Sequence, residues 1–210
     1  MKKVVVLASG EGSNFSAIVD EGIKVDKVIT DNPNANVIKR AEKVDVPCVS
    51  FDRKEGDRKY GSGWCDRMVD ETIPEDVDLI VLAGYMRILS PYFVKKWADK
   101  IINIHPSLLP AFGGGCHAIK DTWEYGCEVF GVTVHWVTEE VDEGPIITQR
   151  AIHKFEEDTL ESITGRIHRV EHYTYSDAIK KILRGEIKCG KLNTVGLETT
   201  NHKRQVCLLQ

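Results

Sequence analysis

Three polar side chains stand against an apolar background in a pattern suited to acyl chemistry. Asn103 and His105 lie two apart in Ile-Ile-Asn-Ile-His-Pro-Ser-Leu-Leu-Pro-Ala-Phe, residues 101–112. The apolar, β-branched start of this run predicts a strand, and period-two alternation then puts both side chains on one face. Pro106 and Pro110 end the strand and stiffen the loop after it. In an open α/β sheet, the C-terminal end of a strand is where ligands usually bind. Asp142, the third group, lies in the polar stretch from Thr138 to Gly144, just after a strand that carries His135. A carboxylate brought near His105 would favour the imidazolium. That form suits general acid–base work on an amine attacking a carbonyl, with Asn103 offering an N–H to the developing oxyanion. Each group also has a plain structural reading, as the polar end of a strand or a hairpin turn residue. Spacing in sequence does not say whether Asp142 meets His105.

A second constellation is Gly10-Glu-Gly-Ser-Asn, set between an apolar strand and an amphipathic helix. Unpaired backbone N–H groups and the helix dipole make such a terminus a phosphate site. The dinucleotide fingerprint fails, because Phe15 stands at the third glycine position. A single phosphate is therefore expected in preference to NAD. The structural alternative is a tight turn with Ser13 as the helix N-cap. Asp31, at the spacing of a ribose-binding acid, sits in a turn and reads as a local contact. The six cysteines are scattered and read as reduced structural thiols. Cys116-His117 has no further ligand at zinc spacing, so no metal is expected.

Elements that would position these groups alternate through residue 105. Strands are predicted at 4–8, 26–30, 48–51, 78–83 and 101–105, and helices at 14–23, 35–44, 64–72 and 91–99. Residues 52–60, rich in Asp, Arg and Lys, read as a polar loop. The alternation predicts a doubly wound parallel sheet. After Gly113-Gly114-Gly115 the pattern changes. A helix at 117–125 precedes two longer strands, 129–138 and 145–154, that read as an antiparallel pair, and residues 160–183 form a long amphipathic helix. The fold expected is one α/β domain, Rossmann-like, mostly parallel, with an antiparallel C-terminal strand pair and a long C-terminal helix. It spans residues 1–189, and 190–210 are a polar tail.

With 210 residues, 42% hydrophobic and a net charge of −4, the chain is ordinary for one globular domain. Nothing in the charge points to nucleic acid or an anionic membrane. The first apolar run is too short for a signal sequence, and none approaches a membrane span of about 20 residues. The expected location is cytoplasmic.

Six segments in order carry a family resemblance: Leu-Ala-Ser-Gly-Glu-Gly-Ser-Asn (7–14), Leu-Ala-Gly-Tyr-Met-Arg-Ile-Leu-Ser (82–90), Asn-Ile-His-Pro-Ser-Leu-Leu-Pro (103–110), Val-Thr-Val-His-Trp-Val-Thr (132–138), Val-Asp-Glu-Gly-Pro-Ile (141–146) and Glu171-His172. From about Val4 to Leu183 the chain resembles the folate-dependent glycinamide ribonucleotide formyltransferases of purine synthesis. The resemblance implies transfer of the formyl group of 10-formyltetrahydrofolate to the amine of 5-phosphoribosylglycinamide, without a metal, by a monomer or homodimer whose only ligands are small molecules. It makes Asn103, His105 and Asp142 the catalytic trio. It assigns Gly12, Ser13 and Asn14 to the substrate phosphate and Glu171 to the ribose. Met86, Arg87, Ile88 and Leu89 with Thr138, Glu139, Glu140, Val141 and Asp142 would form the folate pocket, which Asn103 also borders.

The chain departs from the family's pattern in two places along the domain, and its tail after Cys189 matches nothing in that pattern. The family has Pro-Gly and two histidines after the Leu-Leu-Pro; here stands Gly113-Gly114-Gly115-Cys116, one residue longer, with His117 kept and Ile119 in the second histidine's place. A family arginine before the third helix has no clean counterpart across Gly61-Ser-Gly, and Arg58 is the nearest candidate for folate. Related chemistry is run by methionyl-tRNA formyltransferase, which needs a further basic domain, and by formyltetrahydrofolate hydrolase, for which a phosphate loop has no use. A non-catalytic nucleotide- or folate-binding module would not need His105 and Asp142 together.

Overall fold

The computed structural model describes residues 2–61 and 63–189, so the expected tail, 190–210, lies outside the described residues. Seven strands form one sheet in the order β3-β2-β1-β4-β5-β6-β7. β1 (Val4–Leu7), β2 (Lys27–Thr30), β3 (Cys48–Ser50), β4 (Leu79–Leu82) and β5 (Ile101–His105) pair in parallel, while β6 (Val129–Trp136) and β7 (Ile146–His153) add antiparallel at one edge. Helical crossovers of the βαβ kind join the parallel strands, whereas β6 and β7 are joined by the helix-free residues 137–145.

Both faces of the central strands are covered, which is why β1 reads as an unbroken apolar run. Val4 and Val6 pack with Phe15 and Ile18 of α1 (Ser13–Asp20) and with Tyr175 and Ile179 of α7 (Leu160–Leu183). Val5 and Leu7 point the other way, toward Val69 of α4 (Trp64–Thr72) and Phe93 of α5 (Pro91–Lys96). The expected architecture is therefore the observed one. α2 (Val37–Lys43) and α6 (Ala118–Glu124) complete the α-helices recognised from the sequence, each within a few residues of its expected bounds.

One element differs from expectation. The polar stretch after Phe51 is not a loop but a helix, α3 (Arg53–Tyr60). It has no apolar stripe to betray it. Its N-terminus is capped by Asp52, which accepts the Glu55 N–H at 3.0 Å, and Gly56 is pressed so close to Trp64 that a Cβ would sit 1.9 Å from the indole. Cap and contact do the work that periodicity does elsewhere.

Candidate active site

The C-terminal ends of β1, β4 and β5 open onto a cavity of about 600 Å³. Strand order explains the placement: the chain leaves β1 for β2 on one side and enters β4 on the other, a topological switch point where the loops diverge.

At one end lies the loop after β1. Gly12, with φ 72°, is the α1 N-cap, so Ser13 is the first helical residue and not the cap that the structural alternative would make it. A Cβ on Gly12 would meet Val37 at 2.7 Å, which shows how tightly the loop is pressed against α2. Arg40 holds it from outside, donating to the Glu11 carbonyl at 2.6 Å and to Ser16 Oγ at 3.2 Å. Gly12, Ser13 and Asn14 all line the cavity, and Asn14 Oδ1 is buried with no protein hydrogen bond. Opposite this loop α7 presents Glu171. The helix is pinned by Tyr175, whose buried hydroxyl is shared between the carbonyls of Leu82 and Ile102 at 2.9 and 3.0 Å. One turn earlier Glu171 reaches the cavity and pairs with His168 at 2.6 Å. That pairing raises the His168 pKa above its ordinary value, against the opposing effect of burial.

At the other end, Met86 to Leu89 and Thr138 to Asp142 line the wall, as the resemblance implies. Ser9 fastens the first of these loops, accepting the Met86 N–H at 2.9 Å. Arg87 turns its guanidinium away into a carboxylate pair, Asp66 at 2.7 Å and Asp57 at 3.1 Å. Apolar side chains of Ile88, Leu89, Val94 and Val137 face the cavity beside main-chain groups. Arg58 lies exposed on α3 and is not among the lining residues.

Between the two ends sits the trio, and the structure does bring Asp142 to His105. Asn103 and His105 share a face of β5, and His135 is the register partner of Asn103 on β6. Asp142 occupies a left-handed turn (φ 58°) just beyond, and its carboxylate lies 3.4 Å from His105 Nδ1 and 3.6 Å from His135 Nε2. Its Oδ2 also accepts the Gly114 N–H at 2.8 Å. Burial works to raise the Asp142 pKa, but the His135 ring, the Gly114 N–H and His105 together outweigh it and hold the carboxyl below the ordinary range. The group stays ionised and acceptor-only beside the histidine.

Both nitrogens of His105 are engaged, since Nε2 donates to the Phe112 carbonyl at 2.9 Å. His135 orients Asn103. Its Nδ1 donates to the Trp136 carbonyl at 2.9 Å, so in the uncharged ring Nε2 accepts from Asn103 Nδ2 at 3.3 Å. At 3.6 Å the His135–Asp142 contact is longer than a hydrogen bond. Sequence reasoning misses the roles of His135, His168, Arg40 and the Phe112 carbonyl. His135 alone has a signal, a histidine inside a buried apolar strand; a backbone carbonyl has none. Among the described residues, no group of three or more His, Cys, Asp or Glu is placed to hold a metal ion, and no helix is long and apolar enough to cross a membrane.

The chain is similar to known proteins in sequence and in fold. The sequence profile described as formyl transferase matches residues 2–179. The chain belongs to the formyl transferase family. Phosphoribosylglycinamide formyltransferase of Bacillus subtilis is 43% identical over 197 residues, covering 89% of this chain and 99% of that protein. The trifunctional purine biosynthetic protein adenosine-3 of Gallus gallus is 38% identical over 200 residues, and there the match spans only 20% of the longer protein. The crystal structure of phosphoribosylglycinamide formyltransferase from Bacillus halodurans superposes with a TM-score of 0.80 at 38% identity, covering 89% of this chain and 97% of that one. For a formyl transferase, a cavity with an amide-lined end, an apolar end and an Asn–His–Asp group between them has the layout that two substrates require.

Proposed function

We propose that this formyl transferase moves the formyl group of 10-formyltetrahydrofolate to the amine of 5-phosphoribosylglycinamide, giving the N-formyl ribonucleotide and tetrahydrofolate. The observation that carries the reading is the convergence of Asn103, His105 and Asp142 midway between the Gly12–Asn14 loop and the Met86–Leu89 wall. The phosphate takes the N–H groups at the start of α1. Glu171 accepts from the ribose hydroxyls. The apolar end fits a flat pterin, with main-chain groups of residues 86–89 and 138–142 reading its edge.

In the reaction the amine lone pair forms a bond to the formyl carbon, and the carbonyl pair moves onto oxygen. The oxyanion is met by an N–H of Asn103, held in orientation by His135, and by protonated His105. Collapse restores the carbonyl, breaks the bond to the folate nitrogen, and that nitrogen takes a proton from His105. The attacking nitrogen, cationic once its bond to the formyl carbon has formed, gives its surplus proton to the now neutral His105 ring, so the imidazolium is restored and Asp142 stays ionised. Asp142 favours the charged imidazole throughout. No step uses a metal. The enzyme works in the cytoplasm, as a monomer or homodimer.

The test is a spectrophotometric assay with 10-formyltetrahydrofolate, with and without the ribonucleotide. Deformylation that requires the ribonucleotide is expected. Deformylation indifferent to it would reassign the chain to hydrolysis, and binding of either ligand with no turnover would make it a binding module.

A further inference from the structure

The His105–Asp142 pair is bracketed by two groups of one short segment. The Phe112 carbonyl accepts from His105 Nε2 at 2.9 Å, and two residues on, the Gly114 N–H donates to Asp142 Oδ2 at 2.8 Å. One backbone turn thus sets both the far side of the imidazole and the orientation of its carboxylate. Yet this turn is built from the most permissive chemistry in the chain, three successive glycines at 113–115. Phe112 itself has φ 55°, a left-handed conformation that a residue with a bulky side chain holds only when its surroundings impose it.

One contact on this residue lies outside the cavity, beside those that the Ser107 hydroxyl and the Leu108 carbonyl make to Ala111. The Phe112 ring stands edge-on to Tyr125, with centroids 5.8 Å apart and planes at 73°. Tyr125 closes the C-terminus of α6, a helix anchored through buried Ala118 and Thr122, and its own side chain is 80% exposed. It does not line the cavity. An exposed aromatic ring whose described ring partner is Phe112 has no core to fill. Its contact is a fastener on the turn.

We infer that Tyr125 is a positioning residue: its edge-to-face contact with Phe112 holds the turn whose carbonyl keeps a proton on His105 Nε2, leaving Nδ1, on the Asp142 side, as the nitrogen that gives up the proton in turnover. The inference rests on the acid role of His105 under the proposed function. With Nε2–H committed to a carbonyl, the imidazole cannot rotate to the other tautomer without losing a hydrogen bond, so proton delivery has one defined geometry. Release of the turn frees both brackets together. The loss then falls on the chemical step and leaves ligand binding alone.

The experiment compares the full chain with Tyr125→Ala, Tyr125→Phe, Phe112→Ala and the double alanine variant, with circular dichroism and a melting curve confirming the fold of each. NMR of histidine-labelled protein, assigned by the resonance missing in His105→Ala, is expected to show a slowly exchanging, low-field Nε2–H for His105 in the parent chain. In Tyr125→Ala that resonance should broaden or vanish, and kcat should fall about three- to tenfold, the scale of one aromatic pair. KM for both substrates should stay within about twofold, and Tyr125→Phe should restore both readouts. The double variant should lose no more than either single one, as expected for one shared contact. Unchanged kcat in Tyr125→Ala, or an Nδ1–H tautomer in the parent chain, would overturn the inference. Full turnover in His105→Ala would instead overturn the acid role beneath it, so the two failures are distinguishable.

Discussion

Asn103 and His105 ride on a central strand buried from both sides, whereas Asp142 and the Phe112 carbonyl hang on loops that leave the sheet. The strand side is determined by register. Leu82 pairs with Asn103 on one flank and His135 on the other, so neither side chain can change face without shifting the sheet. On the loop side, placement depends on single contacts: the Gly114 N–H, a left-handed Asp142, and the close passage of Gly144 under Trp136. The strand therefore supplies the reacting groups, and the loops decide how they are protonated. Losing a strand group should remove chemistry outright. Losing a loop contact should detune it.

His105→Ala tests the strand side and carries the largest expected effect: kcat should fall by about 10²–10⁴-fold, with the circular dichroism spectrum unchanged. Asn103→Ala should follow at about 10²–10³-fold, the cost of one oxyanion donor. An Asn103 variant with parental kcat would refute its placement opposite the developing charge.

On the loop side, Asp142→Asn keeps the shape and removes the charge. Because the folded Asp142 carboxyl is held below its ordinary pKa, its stabilising contribution is present above the unfolded value near ~4 and is lost as pH falls through the folded one. The difference in urea-unfolding free energy between parent and Asp142→Asn should therefore shrink in acid, while the loss of kcat near neutrality persists. A stability difference that grew on acidification would contradict the sign.

Gly144→Ala probes the hairpin that carries Asp142. An added Cβ would lie 1.7 Å from the Trp136 carbonyl oxygen, so the turn must shift, at a cost of about 1–3 kcal/mol measurable by denaturant titration. The smallest effect is expected far from the trio, at His168. Glu171 raises its pKa, so its charge is in place at and below about pH 6.5 and is lost as pH rises through the higher folded value. In His168→Gln, KM for the ribonucleotide should rise a few-fold at pH 6 and match the parent at pH 9, with kcat unaffected; an increase that was the same at both pH values would exclude a charge-based role.

Much of the fold is legible in the chain's local patterning. The unbroken apolar β1 can only be a doubly covered strand, the alternation of strands and helices implies parallel crossovers, and the two-residue spacing of Asn103 and His105 puts them on one face whatever the rest of the chain does. These are consequences of local periodicity, which a sequence carries in full. α3 escapes because a polar helix held by one cap and one glycine contact has no periodic signature. The alternative of a Ser13 cap stays open in the sequence because only the backbone shows that Gly12 already takes the left-handed position.

The tertiary structure decided everything that joins distant segments. That Asp142 meets His105, that His135 turns the Asn103 amide, and that an exposed Tyr125 steadies the glycine-rich turn all depend on which loops return to the same end of the sheet. The sequence determined by itself which side chains could do the chemistry and which face of which strand would bear them. Their pairing required the antiparallel return of β6 and β7, because hydrogen bonds and charges act over a few ångströms of space, and the residues concerned are separated by long stretches of chain.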